Sequence, residues 1–116
     1  MADHADGDIL LRETSEGILR LTLNDQKRRN ALSETMLAQL SDTFAQAALD
    51  PSIRVIVLAA NGPAYCAGHD LKEITAARSG EDNGKAYFTA LFATCASLMQ
   101  LIVRNPKPVI AEVAGI

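Results

Sequence analysis

The sequence predicts an α/β fold, and three observations carry that reading. Leu19, Leu21 and Leu23 alternate with Arg20 and Thr22, the period-two pattern of a strand with one face buried. Residues 53–60 are almost continuously apolar, as expected of a strand covered on both faces and typically parallel to its neighbours. Apolar residues recur at helical spacing in Met36, Leu40, Phe44 and Ala48, then again in Phe88, Leu91, Phe92, Cys95, Leu98, Met99 and Ile102.

Taken in order, the chain reads ββα–βα–α–β. Residues 9–14 and 18–23 flank Ser15-Glu16-Gly17, a short turn that makes them a hairpin. Ser33 is placed to cap the first helix, with Glu34 favourable in its first turn and Asp50-Pro51-Ser52 ending it. A right-handed crossover through that helix puts residues 53–60 in the same sheet. Asp70 is the N-cap of a short helix, and Glu73 completes a capping box with it. Residues 76–84, polar and Gly-containing, read as a surface loop. The second long helix stops at Pro106, and residues 108–114 form the last strand.

Length and charge bound the function. A chain of 116 residues accommodates one domain, and at 48% hydrophobic but 4% aromatic its core must be built from Ala, Leu, Val and Ile. The net charge of −3 opposes general binding to nucleic acid or anionic membrane. No stretch approaches the apolar length of a membrane span on this reading. The acidic start, Met1-Ala-Asp-His-Ala-Asp-Gly-Asp8, is unlike a signal or transit peptide, so a cytoplasmic location is expected. Cys66 and Cys95 lack metal-motif spacing and read as two reduced thiols.

The run Asn61-Gly-Pro-Ala-Tyr-Cys-Ala-Gly-His-Asp-Leu-Lys-Glu73 is the most informative stretch. A strand, a Gly-bearing turn and a helix start in that order present unpaired backbone N–H groups, which can hold an oxyanion or a phosphate. Gly68 permits a positive φ or a close ligand approach, and a helix starting after His69 aims the His69 N–H outward. A nucleotide-binding module would need a Walker loop or G-x-G-x-x-G after a strand, and neither is present.

At these residues the chain resembles the enoyl-CoA hydratase/isomerase (crotonase) superfamily. Asn24-Asp-Gln-Lys-Arg-Arg-Asn-Ala-Leu-Ser-Glu-Thr-Met36 is similar to the family's segment between second strand and first helix. Asn105-Pro-Lys-Pro-Val-Ile-Ala-Glu-Val-Ala-Gly-Ile116 is similar to the strand leading into its second oxyanion loop. The version His69-Asp-Leu-Lys-Glu73 is similar to that of one branch of the family. The resemblance implies a crotonase-like ββα spiral, of which residues 1–116 are a partial, N-terminal portion. It places the second oxyanion donor and the catalytic carboxylates beyond Ile116, so the chain alone is not expected to catalyse.

The resemblance also implies a ligand and its contacts. An acyl-CoA thioester is the expected partner, with coenzyme A part of the substrate and no permanently bound cofactor or metal. The His69 N–H is the implied catalytic group, the first oxyanion donor. Its imidazole is then nearly free to vary, although a ring beside such a turn also invites a general-base role. Lys27, Arg28 and Arg29 match contacts to the nucleotide portion, or form a solvated basic turn. Ala31 and Leu32 match the adenine and pantetheine path, and Ala64, Ala67 and Gly68 approach by backbone. His69, Asp70, Leu71 and Lys72 match the substrate-binding run, with capping the other role for Asp70. Glu34, Glu73 and Glu112 do not fall where the family keeps its acid and base. The apolar stripe of the second long helix reads as core, with an acyl-pocket wall as the other reading. A homotrimer or hexamer is implied for the full-length form. A non-catalytic acyl-CoA-binding or scaffold member, or an isomerase, is the alternative to a hydratase.

Overall fold

The computed structural model describes residues 8–115. Strands β1 (Leu10–Ser15) and β2 (Ile18–Leu23) form an antiparallel hairpin closed by the Ser15–Ile18 pair. Glu16 and Gly17 have φ of 53° and 82°, and two left-handed residues in a two-residue loop match the right-handed twist of the strands. Helix α1 (Glu34–Leu49) then crosses the sheet and returns the chain as β3 (Val55–Ala60), parallel to β2 with Leu21 opposite Leu58. Helices α2 (Leu71–Arg78) and α3 (Lys85–Val103) lead to β4 (Val109–Ala111), parallel to β3, giving the strand order β1-β2-β3-β4. The mixed α/β architecture expected from the sequence is the one observed.

The core lies between the sheet and α1. Leu19, Leu21 and Leu23 of β2 meet Ile56 of β3 and Met36, Leu37, Leu40 and Phe44 of α1, while α3 contributes Leu91 and Leu98. Ser33 accepts from the Met36 N–H at 3.2 Å, the cap expected of it. At the far end of α1, Ala47 rather than Ala48 is buried. A four-residue step overshoots a 3.6-residue turn by about 40°, so the strict stripe drifts off the core.

Several expectations need correction. The helix at residue 71 continues through Ala76 and Ala77 to Arg78, because these are good helix formers, and the loop begins only at Ser79. The last strand spans Val109–Ala111 rather than residues 108–114. In β3 only Ile56 and Ala59 are buried, so this strand is not covered on both faces among the described residues. Helix α3 is, by length and composition, long and apolar enough to cross a membrane, contrary to the reading above. It nevertheless packs against α1 and α2, burying Leu91 and Leu98 and leaving Phe92 58% exposed.

Asn105-Pro-Lys107 fastens the end of α1. The Lys107 ammonium donates to Ala47 O at 3.1 Å, Asp50 O at 2.5 Å and Ile53 O at 2.6 Å, and the Asn105 amide donates to Phe44 O at 3.3 Å. A cation at a helix C-terminus satisfies carbonyls that have no partner within the helix and complements its dipole. Lys107→Met keeps the stem but removes these bonds. It should lower unfolding stability by about 2 kcal/mol in a urea titration, and an unchanged midpoint would contradict this account of the α1 terminus.

Candidate functional site

The site is built where two loops are laced together. After β2 the chain makes a 3-10 turn at Gln26–Arg28, then reverses through Arg29 and Asn30, whose φ values are 52° and 57°. Asn is one of the few L residues that tolerates this conformation readily. Asn30 is 1% exposed, and its side chain spans the gap to the loop after β3. Its Nδ2 donates to Asn61 O at 2.9 Å and Ala64 O at 3.0 Å, while its Oδ1 accepts from the Asp25 N–H at 2.7 Å.

Backbone bonds continue the lacing. The Ala67 N–H donates to Arg29 O at 3.1 Å, and the Leu32 N–H donates to Gly68 O at 2.7 Å, within a short parallel bridge between Leu32 and His69. Gly68 has φ of 90°, and a Cβ there would meet nothing within 4 Å. Glycine is required for its conformation and not because space is short. The peptide joining Gly68 to His69 is trans and planar, so fixing its carbonyl toward Leu32 turns the His69 N–H the opposite way. That N–H donates to no acceptor among the described residues.

Beside it lies a cleft of about 260 Å³. Lys27, Arg28, Arg29 and Ala31 line one wall, and Ala67, His69, Asp70, Leu71 and Lys72 line the other. Of the remaining candidates, Leu32 and Gly68 stand behind in the backbone bridge, and Ala64 offers its carbonyl to Asn30. A larger cavity of about 590 Å³ lies between the ends of α1 and α3, lined by Ala48, Ala96, Leu101 and Pro106, and holds none of the candidate residues.

Asp70 works with both oxygens. Its Oδ1 accepts from the Lys72 N–H at 2.9 Å and the Glu73 N–H at 3.4 Å, capping α2. Its Oδ2 lies 3.1 Å from Arg28 Nε, and a weaker contact of 3.5 Å joins Arg28 to Asp25. The expected capping box is not completed. Glu73 Oε1 instead accepts from the Glu34 N–H at 3.0 Å, at the first turn of α1, where an unpaired amide and the helix dipole favour a carboxylate. Lys27, Arg29 and Lys72 form no ion pair among the described residues, so the cleft has a positive rim. Glu112 pairs with Arg20 and does not line the cleft.

The His69 ring rests edge-on against Phe92, centroids 6.2 Å apart, and its buried Nδ1 has no partner among the described residues. No hydrogen-bond partner of Nδ1 among the described residues orients the imidazole as a base. The Tyr65 hydroxyl donates to Leu58 O at 2.6 Å, and burial, then the neighbouring Cys66 and Glu112, raise its pKa. Burial also raises that of Tyr87, followed by the negative field of Glu34, Glu73 and Asp70. Among the described residues no cluster of His, Cys, Asp and Glu could hold a metal ion. The residues that sequence reasoning missed are Asn30, Asp25 and Lys107. For Asn30 a signal existed, since a lone Asn between a charged turn and a capped helix suits a left-handed corner.

Residues 13–116 match the family model described as Enoyl-CoA hydratase/isomerase. The chain belongs to that family. It is 43% identical, over 90% of its length, to enoyl-CoA hydratase domain-containing protein 3, mitochondrial, of Xenopus laevis, the branch whose motif the turn resembles. It is 30% identical, over 94% of its length, to 1,2-epoxyphenylacetyl-CoA isomerase of Escherichia coli. A crystal structure of enoyl-CoA hydratase from Mycobacterium smegmatis superposes with a TM-score of 0.83 at 48% identity, covering 91% of this chain and 40% of that one. The chain spans 34% of the Xenopus relative's length and 41% of the E. coli one's. The crotonase-type fold is thereby established. The cytoplasmic expectation is overturned, because the Xenopus relative and its rat and human counterparts are all named mitochondrial, and residues 1–7 of the acidic start that prompted it lie outside the described residues.

Asn30→Ala removes three hydrogen bonds of a buried side chain and leaves Ala at a positive φ. Stability should fall by about 3 kcal/mol, with amide exchange accelerating first at Asn61 to Gly68. A loss spread evenly over the sheet would contradict the lacing role.

Proposed function

We propose that this chain handles acyl-CoA thioesters, and that its His69 N–H is one of two oxyanion donors in a protein that hydrates 2-enoyl-CoA. Addition of water to an α,β-unsaturated thioester places negative charge on the thioester oxygen. Donors already fixed in position stabilise that enolate without reorganising as the charge develops. The reading rests on one observation: the His69 amide is unpaired among the described residues while its peptide is held by Leu32. The second donor, the acid and the base belong, in this reading, to the part of the relatives' length that the chain does not span.

The cleft suits the rest of coenzyme A. Lys27, Arg29 and Lys72 offer ammonium and guanidinium groups to its phosphates, and Ala31 leaves a low wall for adenine and pantetheine, with Leu32 behind it in the backbone bridge. Coenzyme A enters as part of the substrate. Assembly as a trimer or hexamer belongs to the same reading. An isomerase is the second reading, supported by the likeness to the E. coli isomerase over 94% of this chain. Both reactions pass through a thioester enolate and need the same amide.

His69→Pro deletes the donor together with the ring that packs on Phe92, a loss of packing that His69→Ala reproduces. It should weaken binding of an enolate-mimicking acyl-CoA by about 3 kcal/mol in calorimetry, with folding verified by circular dichroism. His69→Ala should leave that affinity nearly unchanged. Equal affinity for the Pro variant would reject the assignment.

A further inference from the structure

The cap of α2 poses an electrostatic problem for the proposed chemistry. Asp70 carries its carboxylate one residue after the donor amide, and its side chain is only 6% exposed. A buried negative charge beside a developing enolate opposes it, and weak solvent screening makes the opposition larger. Arg28, on the other laced loop, sets its Nε 3.1 Å from Asp70 Oδ2 while remaining 52% exposed itself. Asp70 Oδ1 is already engaged by the first amides of α2, so Oδ2 is the oxygen left to accept from Arg28.

We propose that Arg28 is a positioning residue that neutralises the Asp70 cap and so keeps the His69 turn receptive to an anionic oxygen, and that it does not bind a coenzyme A phosphate. The inference rests on the proposed acyl-CoA reading of the same site. It divides the basic segment into two roles. Lys27 and Arg29 face the cleft with no ion pair among the described residues, whereas Arg28 is already committed to a carboxylate. It also gives Asp70 two separable properties, cap geometry and charge. Asn caps a helix about as well as Asp, so Asp70→Asn removes the charge and keeps the cap.

The experiment is a double-mutant cycle on the protein at its relatives' full length with two ligands: coenzyme A itself, and acetoacetyl-CoA, a β-keto thioester whose enolate absorbs in the near ultraviolet. Arg28→Gln should leave coenzyme A affinity within about twofold and lower the enolate-to-keto ratio of bound acetoacetyl-CoA about tenfold. Arg28→Lys should restore part of it. In the Asp70→Asn background the same Arg28→Gln change should shift the ratio less than about twofold, because the half-exposed guanidinium is then no longer held beside the turn by a carboxylate and its charge is screened by solvent. An Arg28→Gln loss of coenzyme A affinity that persists with Asp70→Asn would make Arg28 a phosphate ligand and overturn the inference alone, as would an unchanged enolate ratio. If the unaltered protein, with the remaining length of its relatives present, binds neither ligand, the acyl-CoA reading falls and this inference with it.

Discussion

A single backbone hydrogen bond, from the Leu32 N–H to Gly68 O at 2.7 Å, sets the direction of the peptide that follows β3's loop. Because a trans peptide is rigid, holding the carbonyl also aims the His69 N–H, and the hydrogen bond polarises the amide it orients. Neither loop could hold this geometry alone. The segment carrying Leu32 is anchored by the left-handed corner at Arg29 and Asn30, and the segment carrying Gly68 is anchored by the carbonyls that Asn30 binds. An unpaired donor is costly to desolvate, so a surrounding frame that forces it to persist points toward a ligand.

Each of the three sequence segments linked to the family also finishes a helix. Ser33, aided by Glu73 from the second segment, closes the N-terminus of α1, Asp70 closes that of α2, and Lys107 with Asn105 closes the C-terminus of α1. The caps therefore cross-link the segments: α1 starts under a carboxylate from α2 and ends under an ammonium from the β4 approach. This couples the cleft walls to the sheet through helix ends and leaves the apolar core to fix the layers. The outer face of α3 and the edge strand β4, where Ile110 is 53% exposed, lie outside that network.

How much of this was readable beforehand depended on the range of the interactions. Alternation in β2 follows from which face meets the core, and the strands appeared with the expected pairing, whereas the apolar run of β3 marked the strand but overstated its burial. Asp70 and Ser33 act on amides two or three residues away, so their capping was legible too. Glu73 was misread because its competitor for partners, the Glu34 amide, lies far away in sequence and close in space. Arg28 illustrates the same limit, since no local pattern reveals that Asp70 will sit beside it. Family resemblance supplied the proposed ligand class and the candidate site residues, and nine of those twelve line one cavity. The membrane-span reading failed differently, because α3 reaches its apolar length with small and hydroxyl residues scattered among Leu and Phe.

The lacing is observable directly by nuclear magnetic resonance as scalar coupling across hydrogen bonds in the isotopically labelled chain. A resolved coupling between Leu32 N and Gly68 C′, with none from His69 N to any carbonyl carbon, is the result this account predicts. Coupling from His69 N to a backbone carbonyl, or none at Leu32, would mean that the amide is occupied or unheld, and the functional reading built on it would be wrong.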